Sequence, residues 1–202
     1  MGAYCLAMRG RVHLARGETA KARHEDAAPA IRLAHDAREP QMLYPALALG
    51  ARAEAAADSR DTAQALADEL LLEWASNVDA YPVSSWAVDL VCALDALERT
   101  AEFLETAGTV RIKTRWLEAV VSFASADHVA AAEQFREIGS LPDEALARLR
   151  AAKSLSEAGR AREAQSQLRR AVAFYRRAGA ELHLREAASL AGESIASASP
   201  SP

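Results

Sequence analysis

The residues best suited to metal chemistry are three histidines at equal spacing. His13, His24 and His35 lie 11 residues apart, and imidazole is a common ligand of zinc and other transition metals. His24 and His35 could share one stripe of a helix, but 11 residues correspond to about 16 Å along a helix axis, too far for both to bind one ion. Gly17 interrupts the helical pattern between His13 and His24. We therefore expect surface or partly buried histidines, with no metal site and no cofactor.

The sequence shows no pattern that is typical of catalysis. Loops that bind nucleotide phosphates require clustered glycines, and the nine glycines of this chain form neither of the two common phosphate-binding patterns. No G-x-S-x-G segment is present, and adjacent acids such as Asp68 and Glu69 point to different faces of a helix. Because no nucleophile, base and orienting group can be assembled, we expect that the protein is not an enzyme.

Charge is distributed unevenly along the chain. Residues 54–105 include twelve acidic and two basic side chains, whereas residues 144–186 include ten basic and five acidic ones. Five arginines form one basic stripe on a predicted helix, namely Arg162, Arg169, Arg170, Arg176 and Arg177. We expect a solvated outer face, or a face paired with acidic residues. We do not expect nucleic acid as a partner, because neither aromatic side chains nor a helix-turn-helix pattern accompanies the stripe.

The composition favours a helical protein. Of 202 residues, 49 are alanine and only 5% are aromatic, with a formal net charge of −4. Alanine, leucine, arginine and glutamate are strong helix formers, and apolar residues recur at helical spacing between the breaks at glycine and proline. We expect an all-α domain over residues 1–191 and a flexible tail over 192–202. With no apolar run of membrane-spanning length and no secretory signal, we expect a cytoplasmic protein without membrane contact.

The large and sulphur-containing side chains have two alternative roles. Trp74, Trp86 and Trp116 either fill the core between helices or anchor a partner, and core filling is the favoured interpretation. Cys5 and Cys92 are too far apart in sequence for a zinc motif or a disulfide framework. We therefore expect both cysteines to be small buried side chains.

Small residues recur at fixed offsets and indicate a helical repeat. In the clearest unit, Ala152, Gly159 and Ala164 stand at offsets of 0, 7 and 12 residues. Three further units keep these offsets: Gly10, Gly17 and Ala22; Ala51, Asp58 and Ala63; Ala119, Ala126 and Ala131. A poorer fifth match is Val91, Glu98 and Phe103, so the register over residues 83–110 stays open. Small side chains let paired helices approach closely, and glycine permits a tight turn between them.

These offsets resemble tetratricopeptide repeats, which carry a small residue, a glycine and an alanine at the corresponding positions. The spacing of about 41 residues between the first two units, and the segment YRRAGAELHLREAASLAGES, are similar to the helical arms of bacterial cyclase-type and ATP-dependent regulators. The resemblance implies a right-handed α-solenoid of about five antiparallel helix pairs, closed by a C-terminal helix. It also implies that the chain is part of a longer regulator.

The resemblance further implies a concave groove lined by the first helix of each pair. Ten residues would line it: Tyr4, Arg11, Arg52, Lys113, Trp116, Val120, Phe123, Leu149, Lys153 and Glu157. Cations beside apolar side chains suit an extended peptide or helix with an acidic end. We therefore expect a non-catalytic scaffold for protein–protein interaction, as the sensor arm of a bacterial signalling or transcriptional regulator. Two alternatives remain, namely an arm that binds a small-molecule effector in a pocket and controls an attached ATPase or cyclase, and a module that forms homo-oligomers.

Overall fold

The computed structural model describes residues 2–79 and 81–197, with side chains as far as residue 192. All regular secondary structure in these ranges is helical, so the all-α prediction is confirmed. The helices are α1 (Gly2–Arg16), α2 (Thr19–Lys21), α3 (Ala28–Ala37), α4 (Pro40–Ala55), α5 (Arg60–Ser76), α6 (Ser85–Ala96), α7 (Thr100–Thr109), α8 (Arg115–Ala124), α9 (His128–Ile138), α10 (Leu141–Glu157), α11 (Ala161–Ala178) and α12 (Glu181–Ser197). A π-helix, Ala22–Ala27, connects α2 to α3. Within the described ranges, no helix combines the length and the apolar character needed to cross a bilayer.

Helix boundaries follow the glycine and proline residues of the sequence. Pro29 lies in the first turn of α3, directly after the π-helix, and Pro40 is the first residue of α4. Helix α10 begins at Leu141, since Pro142 is tolerated in a first turn where its missing N–H would have no partner. Helix α12 extends to Ser197, into the predicted tail of residues 192–202. The remainder of the predicted tail, 198–202, lies outside the described residues.

The turns at offset 7 of the repeat units all have the same backbone conformation. The residue at this offset has φ between 56° and 81° in every unit, and these residues are Gly17, Asp58, Glu98, Ala126 and Gly159. Only Gly17 and Gly159 adopt this left-handed region without a steric cost, as predicted for the tight turns. The residues at offsets 0 and 12 are buried in every unit. The segment around Glu98, where the register was open, therefore has the same turn as the others.

The aromatic core lies between α4, α5, α6 and α7. The Trp74 and Trp86 rings meet edge to face with centroids 5.5 Å apart, and Trp74 stacks on Phe103 at 5.3 Å. Both tryptophans are fully buried, so the core prediction is confirmed for them, whereas Trp116 is half-buried. The burial predicted for Cys5 is wrong, because this residue lies on the exposed face of α1. The second cysteine, Cys92, is half-buried.

The last described helix returns to the first. Helix α12 packs against α10 and α11 and also contacts α1. Ala15 of α1 joins an apolar cluster with Tyr175, Ala180 and Ala187. Helix contacts therefore form a closed circuit, in which α12 connects α10 and α11 to α1.

Candidate functional site

A buried ion cluster joins α1, α4, α6 and α10. Arg11 reaches Asp89 through Nε at 3.0 Å and Asp143 through Nη2 at 2.6 Å. Arg52 forms a second ion pair with Asp89. Both carboxylates belong to residues that are 1% exposed, and Ser140 also donates a hydrogen bond to Asp143. Two positive and two negative charges are therefore held together inside the protein.

Electrostatics keep both arginines of this cluster charged. Burial acts to lower the pKa of Arg11, but Asp89 and Asp143 outweigh it, so the pKa is raised. Burial likewise acts to lower the pKa of Arg52, but the charge of Asp89, the hydrogen bond with Asp89 and the charge of Asp143 favour the charged form, and the pKa is raised overall. Because each arginine is matched by a carboxylate, the cluster is balanced in charge and links four helices. Residues of all four helices line the cavities beside it.

The larger of two adjacent cavities has a volume of about 500 Å³. Its apolar walls include Leu14 of α1, Leu149 of α10 and Leu190 of α12. Cations also line it. Arg150 is paired with Asp95 at 3.0 Å, whereas Lys153 has no ion pair among the described side chains. This cavity therefore combines apolar walls with one solvent-exposed lysine that has no ion-pair partner among the described side chains.

The acidic side of this cavity is a hydrogen-bonded pair on α12. His183 Nδ1 and Glu186 Oε2 are 2.9 Å apart. Burial acts to raise the pKa of Glu186, but the hydrogen bond with His183 and the charges of Arg150 and Arg52 lower it overall. The pKa of the Cys92 thiol, on the same wall, is raised by burial. At neutral pH the cavity thus presents an ionised Glu186 and a neutral thiol.

The smaller cavity has a volume of about 250 Å³ and adjoins the larger one. The two cavities share three lining residues: Arg52, Leu146 and His183. Tyr175 lines the smaller cavity and stacks on His183 with ring centroids 4.8 Å apart. The Tyr175 hydroxyl is buried and has no hydrogen-bond partner among the described residues. Burial raises the pKa of Tyr175, so this hydroxyl is a neutral donor.

No protein-family model, curated protein or solved structure matches the chain significantly.

The structure brings four of the ten predicted groove residues to this region. Arg52, Leu149 and Lys153 line the larger cavity, and Arg11 lines the smaller one together with Arg52. Arg11 and Arg52 are already paired with carboxylates, which the sequence did not indicate. The other predicted residues do not line these two cavities.

Those remaining residues divide into exposed and packed ones. Tyr4, Lys113 and Glu157 are exposed. Trp116 and Phe123 pack on the Phe135 ring, with centroids 5.8 Å and 6.4 Å away, and one further residue, Val120, is fully buried. This part of the predicted groove is thus the interface between α8 and α9.

Among the site residues that the sequence did not indicate, Asp89 carries a recognisable signal. Asp89 lies within the run WAVDLVCAL, where a lone carboxylate signals a buried partner. Asp143 and Tyr175 give no such signal, because each is in a segment of mixed polarity. Their position depends on the return of α12 to α1.

The three evenly spaced histidines lie in separate environments. His13 Nδ1 is 2.6 Å from Asp26, His35 Nε2 is 2.6 Å from Glu69, and His24 is exposed. Across the part of the chain that the structure describes, no group of His, Cys, Asp and Glu side chains could hold a metal ion.

The basic stripe on α11 is largely solvated. Arg170 is within 3.3 Å of Glu133 and 3.4 Å of Glu144. The other four arginines of the stripe are exposed, and they have no ion pair with any side chain that the structure describes. Contact between the acidic and basic segments occurs instead at the Asp95–Arg150 pair.

Proposed function

We propose that this chain is a non-catalytic binding domain that takes a small organic anion into the larger cavity. The observation that carries the proposal is the combination of apolar walls with the uncompensated charge of Lys153 in a cavity of about 500 Å³. Small-molecule sites are usually concave and mostly apolar, with a few polar groups that fix the orientation of the ligand. The cavity has this composition.

The charges favour an anion over a cation or a neutral molecule. Arg52 is balanced by Asp89 and Arg150 by Asp95, and Glu186 is hydrogen-bonded to His183. Lys153 is therefore the charge that still lacks a partner. A carboxylate or phosphate beside it would also approach Arg150, whose guanidinium can donate to a second acceptor.

The conformation shared by the five repeat turns supports a tetratricopeptide-like interpretation of the fold. In this proposal the helices form a right-handed solenoid of about five antiparallel pairs, and α12 closes it. Ligand binding beside α12 would then bias the contact between α12 and α1. Such a domain is suited to be the effector-binding arm of a larger cytoplasmic bacterial regulator, with an attached ATPase or cyclase as the responding domain.

Isothermal titration with a panel of anions tests this proposal. The panel is inorganic phosphate, citrate, benzoate and octanoate, each also measured by the shift in thermal unfolding. We expect saturable binding of at least one anion, lost in Lys153→Glu and retained in the matched control Lys113→Glu, whose lysine is also exposed. Equal loss of binding in both lysine variants would contradict the assignment to this cavity.

A protein or peptide partner is the second candidate. The observation that favours it is the exposure of Tyr4, Lys113 and Glu157 from the predicted groove, together with Lys153. An acidic peptide that binds there should be released by the double variant Lys113→Glu, Lys153→Glu. Arg52 is unsuitable for this test because its reversal would disrupt the buried ion cluster.

Self-association is the third possibility. The exposed apolar side chains Leu72 and Ile112 would favour it, since they are 69% and 64% exposed. It predicts a mass in sedimentation that rises with protein concentration and returns to the monomer value in the variant Leu72→Glu, Ile112→Glu.

A further inference from the structure

The exposed faces of α5 and α11 carry opposite charges at the same spacing. We propose that α11 of one copy of this chain docks on α5 of a second copy, with the two helices parallel and arginines against aspartates. This contact gives self-association a defined surface, and it is independent of the anion site.

The first step is the match in spacing between the two helices. Each helix has two charged residues and one apolar residue at offsets of 0, 7 and 11, namely Arg162, Arg169 and Ala173 on α11, and Asp61, Asp68 and Leu72 on α5. All six residues are exposed. Offsets of 7 and 11 are close to two and three whole helical turns, so each set lies on one side of its helix. Placed side by side in parallel, the helices therefore bring each arginine to an aspartate and the leucine to the alanine.

The second step is that the arginines lack partners within their own chain. Arg162 and Arg169 are exposed, and neither forms an ion pair with a described side chain. The same holds for Arg176 and Arg177, which continue the stripe. Four unpaired arginines on one helix make this face strongly positive, so it attracts a negatively charged surface.

The third step is the excess of negative charge around α5. Arg99 pairs with both Asp68 and Glu102 and so connects α7 to α5. Asp61 and Glu105 are exposed and have no ion pair among the described side chains. One arginine is thus shared by two carboxylates, and further carboxylates remain unpaired. This surface therefore keeps a negative charge that complements the arginines of α11.

The apolar pair favours a second copy over nucleic acid or a lipid surface. Leu72 is 69% exposed and follows Asp68 by four residues, just as Ala173 follows Arg169. Burial of an exposed leucine stabilises a contact, and the small side chain of Ala173 leaves room for it. The exposed residues of α11 include no aromatic side chain on which a base could stack.

The contact is small, so the association should be weak and dependent on salt. Helices α5 and α11 have 17 and 18 residues, which gives about 25 Å of shared length. One such pair of helices buries less than the roughly 800 Å² per partner of a standard stable interface. Exposed ion pairs are also screened by salt. We expect a dissociation constant on the order of 10–100 μM in about 0.05 M salt.

Sedimentation velocity of the full chain over a range of protein concentrations tests the proposal. We expect the average mass to rise with concentration in about 0.05 M salt and to return to the monomer value in about 0.5 M salt. Two double variants reverse the faces: Arg162→Glu, Arg169→Glu on α11 and Asp61→Lys, Asp68→Lys on α5. Each variant alone should associate at least about tenfold more weakly, because like charges then face each other.

An equal mixture of the two variants is the decisive measurement. The first variant has an acidic α11 and the second a basic α5, so the mixture restores opposite charges across the contact. Association should then return to within about threefold of the wild type. The matched control is Arg32→Glu, Arg115→Glu, which changes the net charge equally at two exposed arginines elsewhere and should retain association. Circular dichroism verifies the fold of each variant.

Each contrary result has a separate meaning. A wild-type chain that stays monomeric in low salt overturns the proposal. Association that survives reversal of either face, or that mixing does not restore, overturns the assignment to α5 and α11. Binding of phosphatidylserine vesicles or duplex DNA by a monomeric wild type, lost in Arg162→Glu, Arg169→Glu, assigns α11 to that anion instead. Because Lys153→Glu should leave self-association unchanged, failure of this contact leaves the anion site intact.

Discussion

Removal of the Arg11 side-chain charge should destabilise the whole domain. Arg11→Met keeps much of the aliphatic volume but leaves Asp143 with only Ser140 as a partner and Asp89 with only Arg52. Removing one partner of a buried ion pair lowers the free energy of unfolding by about 3–5 kcal/mol, because the other charge remains buried without its counterion. Since each carboxylate keeps one partner, we expect the free energy of unfolding to fall by about 3 kcal/mol, the lower end of this range. For a domain of this size, that corresponds to a fall in Tm of about 6–12 °C.

Urea unfolding followed by far-ultraviolet circular dichroism measures this loss. The exposed, unpaired Arg162 provides the matched control, and Arg162→Met should change the free energy of unfolding by less than about 0.5 kcal/mol. Asp143→Asn placed in the Arg11→Met background removes the stranded charge, so the two substitutions should be strongly non-additive. A loss below about 1 kcal/mol for Arg11→Met, or additive effects in the double variant, would refute the argument that this cluster holds α1 to α6 and α10.

Two further predictions concern packing and pH. Gly10→Ala should destabilise the protein by about 1–3 kcal/mol in urea unfolding, because its Cβ would overlap a methyl group of the buried Leu49. Gly108→Ala is the control, since its Cβ would meet nothing within 4 Å, and it should be neutral or stabilising. Equal effects of the two substitutions would contradict the packing argument. The pKa of Glu133 is lowered to about 2, first by the hydrogen bond from Arg136. Because its ordinary value is 4.5, this carboxylate stabilises the fold above about pH 4.5 and loses that contribution as the pH falls towards 2. Glu133→Gln should therefore flatten the decline of Tm over this interval, and an unchanged slope would exclude this cause.

The helices were predictable because their signals are local. Helical periodicity and breaks at glycine and proline act over a few residues, so α9 begins directly after its capping residue Asp127 and ends before Gly139. The turn at Glu98 was harder to recognise because its left-handed conformation is carried by a residue without the usual glycine signal. The π-helix was not predicted, since an inserted residue in a helix changes the hydrophobic pattern only slightly.

The candidate site was only partly predictable because it depends on long-range contacts. The repeat pattern placed Arg52, Leu149 and Lys153 on one surface, and all three line the larger cavity. The partners of Arg11 are 78 and 132 residues away in sequence, and no local pattern encodes such distances. Cys5 was wrongly assigned to the core because small apolar residues on α1 occupy both its buried and its exposed face.

The contact between α1 and α12 has a consequence for how the protein unfolds. In a linear array each unit contacts only its neighbours, so the end units open first and independently. Here the two end helices hold each other, and the Arg11–Asp143 ion pair spans 132 residues. Closing so long a loop is entropically costly, which slows folding and makes the transition more cooperative. Hydrogen exchange should accordingly show α1 and the first turns of α12 exchanging at rates close to those of the central helices.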